Sequence, residues 1–199
     1  IGRPGNHETE MLAIVYDRGF KSVFPSPVEE EARALKARES TTLIEEAKHR
    51  RDFRNILTFT VDPIDAKDFD DALSFRSLEN GNYEVGIHIA DVSHYVRPGT
   101  ALDDEARKRA TSIYLVDRTI PMLPEILSND LCSLNEGEDK LTFSVIIIIS
   151  PHGEILETDF AKTIIRSAKR FTYEEGQAIL DRREGSFAPT LLTLNKLAY

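Results

Sequence analysis

The sequence predicts an α/β (α+β) chain built on a twisted mixed sheet with packed helices, and three observations carry the prediction. From Leu57 onward, short β-rich runs bounded by turn residues alternate with helical stretches. Tyr83, Val85, Ile87 and Ile89 alternate with Glu84, Gly86 and His88 in the period of two expected of a half-buried strand, with the apolar set expected to face the core. Thr142 to Ser150 and Ile155 to Arg166, divided by Pro151-His152-Gly153, read as a long hairpin in which Ile146 to Ile149 are expected to be buried on both faces.

The elements follow in order. A turn-rich opening leads to an apolar segment, Met11 to Val15, before Pro25 and Pro27 break the chain. Val28 to Arg38 carries acids at its start and bases at its end, as the helix dipole favours, and Thr42 to Arg51 reads as a second helical segment. Leu57 to Val61 and Ala72 to Phe75 read as strands around an acidic turn. Thr100 and Asp103 form a capping pair for a helix through Leu102, Ala106, Ala110 and Ile113. A long loop runs from Val116 to Glu138, and helical segments at Tyr173 to Arg183 and Thr190 to Tyr199 end the chain. Residues 1–55 are expected to be a lead-in and residues 56–199 the main domain. With Ile1 first and a helical pattern running to Tyr199, the chain is expected to be a piece of a longer protein.

Composition narrows the function. At 41% hydrophobic and 30% charged the chain is ordinary for a globular protein, and no apolar run approaches the roughly 20 residues of a membrane helix. Cys132 is the single cysteine, which excludes an intrachain disulfide and suggests a reducing, cytoplasmic setting. The net charge of −9 is concentrated between residues 58 and 139, where 17 acids face 7 bases.

Within that stretch Asp62, Asp65, Asp68, Asp70 and Asp71 fall inside ten residues, against the lone Lys67. Like-charge repulsion opposes such crowding unless a cation offsets it, and carboxylates on a rigid strand-loop-strand turn suit Mg²⁺ or Mn²⁺, which prefer oxygen ligands. An acid-rich solvated turn is the plain alternative. An EF-hand fails, because Lys67 stands at the turn-glycine position and Leu73 at the position of the bidentate glutamate.

The stretch Thr60-Val61-Asp62-Pro63 through Ala66-Lys67-Asp68-Phe69-Asp70-Asp71-Ala72-Leu73 resembles the signature of the ribonuclease II and ribonuclease R family, the RNB-type 3′→5′ exoribonucleases. His88-Ile89-Ala90-Asp91-Val92-Ser93-His94-Tyr95-Val96, and Tyr114 followed by Ile120-Pro121-Met122-Leu123-Pro124 and Leu127-Ser128-Asn129-Asp130-Leu131-Cys132-Ser133-Leu134, extend the resemblance in the same order and lean toward ribonuclease R. It implies the end of a cold-shock-type domain over residues 1–55, then the N-terminal half of the RNB catalytic domain. It also implies a Mg²⁺-dependent enzyme that hydrolyses single-stranded RNA to nucleoside 5′-monophosphates. Asp62, Asp68, Asp70 and Asp71 match the catalytic, metal-holding aspartates, and Tyr114 matches an aromatic that stacks on RNA near its 3′ end. Asp65 matches no catalytic position.

Other groups read plainly: His88 as a polar-face strand residue, His94 as structural, and Arg166, Lys169 and Arg170 as a solvated strand end. Two other readings are an RNB-fold RNA-binding regulator without hydrolysis, disfavoured by the intact acid set, and a calcium-binding structural module. An open sheet edge is expected to favour non-native self-association.

Overall fold

In the computed structural model, residues 2–198 are described, and they form two compact units. The first combines residues 2–38 with 93–128. Its helices are α1 (His7–Asp17), α2 (Ser26–Ala37) and α5 (Ala101–Arg109), with the short α4 (Val92–Tyr95) at the unit's edge. The apolar run Met11 to Val15 therefore lies within a helix, capped by Asn6, whose side chain accepts from the Thr9 amide. Thr100 caps α5 as expected, and Arg109 at its end is a buried hub. Its guanidinium lies 3.7 Å over the Phe24 ring and donates to Glu105 and to the carbonyls of Val23 and Pro121. The long loop expected from Val116 is more structured than predicted. Thr119–Ile120 (β6) pairs with Ile113–Tyr114 (β5), and Leu127–Leu131 forms a π-helical turn.

The second unit combines residues 39–92 with 129–198 and holds a mixed sheet of seven strands, as the sequence predicts. In chain order the strands are β1 (Arg51–Asp52), β2 (Thr58–Asp62), β3 (Asp71–Ser77), β4 (Tyr83–Ala90), β7 (Asp139–Ile149), β8 (Ile155–Arg166) and β9 (Lys169–Thr172). The sheet order is β1-β8-β7-β4-β3-β2-β9, antiparallel through the middle, with a parallel pair at each edge. Gly153, at φ +83°, supplies the left-handed residue of the β7–β8 turn. Helix α3 (Glu39–Glu46) begins before the predicted Thr42 and ends well before Arg51, which instead pairs with Thr163 of β8. Helices α6 (Tyr173–Arg182) and α7 (Ala188–Leu197) close the chain, and the Tyr199 end of the predicted last helix lies, like Ile1, outside the described residues.

One expectation about the sheet is inverted. On β4 the buried residues are Glu84, Gly86, His88 and Ala90, while Ile89 is exposed and Tyr83, Val85 and Ile87 are half-buried. The alternation is correct and the buried side is the polar one, because neighbouring strands bring hydroxyls to it. Ser74 Oγ lies 2.9 Å from His88 Nε2, and Ser144 Oγ lies 2.7 Å from His88 Nδ1. Ser144 continues at 2.6 Å to Thr163, which bonds Thr142. Phe53 packs edge-on against the His88 ring at 5.1 Å. A Cβ on Gly86 would stand 2.4 Å from Ser74 Oγ and 2.5 Å from His88 Nε2, so glycine is needed for the ring to fit. His88 is thus fully buried, and within Ile146 to Ile149 only Ile146 is. The opposite face is apolar, and helices cover it at one end. There Phe59, Phe171 and Leu191 are buried with Leu73, Ile179, Leu180, Phe187 and Leu194 packed against them.

Candidate active site

Strand β2 ends on Asp62 and β3 begins on Asp71, so the acidic loop of residues 63–70 is the connection between two adjacent antiparallel strands. Asp62 is 9% exposed, and its Oδ2 is buried with no hydrogen-bond partner among the described residues. Such an orphaned acceptor carries a real desolvation cost. Desolvation raises its pKa first, and repulsion from Asp71 and Asp68 adds to it. Thr60, two residues earlier on the same face, pulls the other way, but its Oγ1 also lacks a partner at bonding geometry, so only its dipole is at work.

Asp70 is raised too, by desolvation and then by Asp68, Asp71 and Asp62. The residue as a whole is exposed, so repulsion from these neighbours keeps its carboxyl raised even where water reaches it. The four predicted aspartates therefore form one electrostatic group. Among the described residues, however, no three His, Cys, Asp or Glu side chains converge closely enough to hold a metal ion. The donor set is all oxygen, and with the unpartnered Asp62 oxygen it fits a hard divalent cation once the side chains at the loop's rim are drawn in.

The loop is fastened at its far end by Phe69. Its amide donates to Ser133 Oγ at 3.0 Å, its carbonyl accepts the Leu134 amide at 2.9 Å, and its ring is buried. Ser133 Oγ also donates to the Lys67 carbonyl, and the Asp70 carbonyl accepts the Ala90 amide. The 130–134 segment is held in turn by Lys140, whose side chain is 2% exposed. Its ammonium donates to the Asp130 carbonyl at 2.6 Å and lies 2.8 Å from Glu138. Arg170 is not in a solvated strand end, as the sequence suggested. Its Nη2 donates to the carbonyls of Pro63 and Ile64, and its guanidinium lies over the Phe69 ring. The sequence singled out Arg170 only as part of a basic strand end with Arg166 and Lys169, and assigned Ser133 no role of its own.

Tyr114 belongs to the first unit. It sits on the β5–β6 hairpin, 71% exposed, with Val116 beside the turn 88% exposed, so it is not a core aromatic. Asp65 is exposed on the acidic loop. His94 packs edge-on against Tyr95.

A mixed seven-stranded sheet with an aspartate loop between two of its strands makes this an α/β domain with one acidic candidate site. The model of the RNB domain family matches residues 50–199, and the chain belongs to that family. The chain is 44% identical over its whole length to the exosome complex exonuclease RRP44 homolog A of Arabidopsis thaliana. It is 49% identical over 85% of its length to ribonuclease R of Thermotoga maritima. It spans 21% and 24% of those two proteins, about a fifth to a quarter of each. Among solved structures, Mycoplasma genitalium RNase R in complex with double-stranded RNA superposes with a TM-score of 0.83 at 29% identity, covering 99% of this chain and 34% of that one. Among the described residues no helix is long and apolar enough to cross a membrane.

Proposed function

We propose that this chain is the N-terminal half of the catalytic domain, preceded by a lead-in over residues 1–55, of a cytoplasmic 3′→5′ exoribonuclease that degrades single-stranded RNA to nucleoside 5′-monophosphates. The observation that carries the reading is the buried Asp62 carboxylate, one oxygen of which has no hydrogen-bond partner among the described residues, within a group of four aspartates in a chain of the RNB family. Folding gains nothing from such a group, so its presence is a cost offset by function.

Asp62, Asp68, Asp70 and Asp71 would hold Mg²⁺, with Mn²⁺ as substitute, and the bound ions would polarise the scissile phosphate and lower the pKa of the attacking water. Asp62 is buried at the end of β2, whereas the side chains of Asp70, on the loop, and Asp71, at the start of β3, are exposed to an incoming ion. Tyr114 would stack on a base near the RNA 3′ end, where one stacked base is worth about 1 to 3 kcal/mol. With a net charge of −9, residues 1–199 would repel RNA, so the intact protein is expected to supply the basic surface, and 1–199 alone to have little activity.

The test is digestion of 5′-labelled single-stranded RNA by the intact protein, with Mg²⁺ or with EDTA. Stepwise release of 5′-mononucleotides from the 3′ end in Mg²⁺ alone is expected. Internal cleavage, or equal activity in EDTA, would contradict the reading.

A further inference from the structure

We propose that Arg170 is a positioning residue that clamps the acidic loop at both ends and thereby sets how tightly the aspartates take up a divalent cation. The second half of this statement rests on reading the loop as a divalent-ion centre.

Residues 63–70 form no regular structure, and inside the segment the Ala66 amide to Pro63 carbonyl bond, at 3.1 Å, is the single backbone hydrogen bond among the described residues. Its shape must therefore be imposed from outside. Ser133 and Leu134 hold Lys67 and Phe69, which fixes the C-terminal half of the segment and not its Pro63 end. Arg170 reaches both ends. Its Nη2 donates to Pro63 O at 2.7 Å and to Ile64 O at 3.0 Å, while the guanidinium carbon lies 5.1 Å from the centre of the Phe69 ring.

Arg170 is itself well anchored. Its backbone pairs with Thr60 in the parallel β2–β9 ladder, and its amide donates to Glu136 at 2.8 Å. The clamp and the strand carrying Asp62 are thus one rigid piece. A planar guanidinium can bind two adjacent carbonyls and stack on a ring at once, and a lysine ammonium has no such plane.

Charge alone predicts the opposite of what a clamp predicts. A fixed cation beside Asp62 repels a second cation, so removing it should tighten ion binding if Coulombic repulsion were its only effect. If Arg170 acts by shaping the loop, removing it should weaken binding, because partners that orient ligands are typically worth about ten- to a hundredfold in metal affinity.

The experiment compares intact wild type with Arg170→Ala and Arg170→Lys. Mn²⁺ alone is titrated by calorimetry, amide exchange over residues 63–70 is followed in EDTA, and RNA affinity is measured in EDTA. The clamp predicts faster exchange of the loop in both variants, Mn²⁺ binding weaker by about tenfold or more in both, and RNA affinity within about twofold of wild type. Recovery of wild-type Mn²⁺ affinity in Arg170→Lys would overturn it, since charge alone would then suffice. Tighter Mn²⁺ binding in Arg170→Ala, or unchanged loop exchange, would also overturn it. A selective loss of RNA affinity would reassign Arg170 to the RNA. Absence of Mn²⁺ binding by the wild type would overturn the ion reading itself, and the exchange data, which need no ion, separate that failure from failure of the clamp.

Discussion

The His88 relay and the Asp62 end of the sheet lie on the same face and are both withdrawn from water, yet their polar atoms are treated differently. Both ring nitrogens of His88 meet a serine hydroxyl, and the chain of bonds runs on through Ser144 to Thr163 and Thr142. Asp62 keeps one carboxylate oxygen without a partner, and Asp71 at the start of β3 and Asp68 on the loop repel it. A satisfied buried network specifies a fold, whereas an unsatisfied acceptor is left open to a ligand. Burial of polar groups is common to both sites; at His88 both ring nitrogens are satisfied, whereas at Asp62 an unpartnered oxygen coincides with a cluster of like charges.

The comparison can be broken most forcefully at Asp70. Asp70→Asn should reduce hydrolysis by the intact protein about a hundredfold or more, as loss of a key electrostatic group does, with RNA affinity largely kept. Parallel turnover and binding measurements check it, and retention of more than about a tenth of the rate would remove Asp70 from the catalytic set.

At the other site, His88→Ala should cost about 3 kcal/mol of stability, because it strands the Ser74 and Ser144 hydroxyls and empties the space beside Phe53. Turnover per folded molecule should stay near wild type. Urea titration with an activity assay separates the two effects, and a large loss of turnover in folded protein would make the relay functional.

The two sites should also titrate in opposite senses. Burial lowers His88 to about 4, so the unfolded chain binds its proton first, and the stability from the neutral ring, full above pH 6.5, is lost as pH falls toward 4. Asp62 and Asp70 are raised from 3.8, so the stability they contribute is full below that value and is lost as pH rises beyond it through their raised values. Wild-type stability across this range should therefore show both slopes, and His88→Ala should lack the first.

Smaller again is Gly86→Ala, where the added methyl must displace Ser74 or His88, an overpacking of about 1 to 3 kcal/mol. Tyr114→Ala should leave stability almost unchanged, since the ring is mostly exposed, and should alter only where digestion stops. An unchanged end-product ladder on a sequencing gel would return Tyr114 to a purely local role.

Most of the fold was legible because periodicity and capping are local signals: the β7–β8 hairpin, the acidic turn between β2 and β3, and the Thr100 cap all lie where the sequence puts them. The buried face of β4 was not, because period two shows that two faces differ without showing which one neighbouring strands will cover. Serines and threonines from β3, β7 and β8 made the polar face the closed one, and those partners are distant in sequence. For the same reason the aspartates were visible as a run, whereas Arg170, 106 positions beyond Ile64, became part of the loop only through the β2–β9 pairing.

The central claim, that the aspartates store repulsion which a divalent ion relieves, is tested most directly by thermal unfolding of wild type and Asp70→Asn at neutral pH, with and without Mn²⁺. Without the ion, Asp70→Asn should melt above wild type, because one repelling carboxylate is gone. Mn²⁺ should raise the wild-type midpoint, by an amount equivalent to about 2.7 kcal/mol at a hundred times its dissociation constant, and should raise the variant less. A wild type indifferent to Mn²⁺, or an Asp70→Asn variant less stable than wild type in its absence, would mean that the carboxylates are already satisfied and would contradict the account.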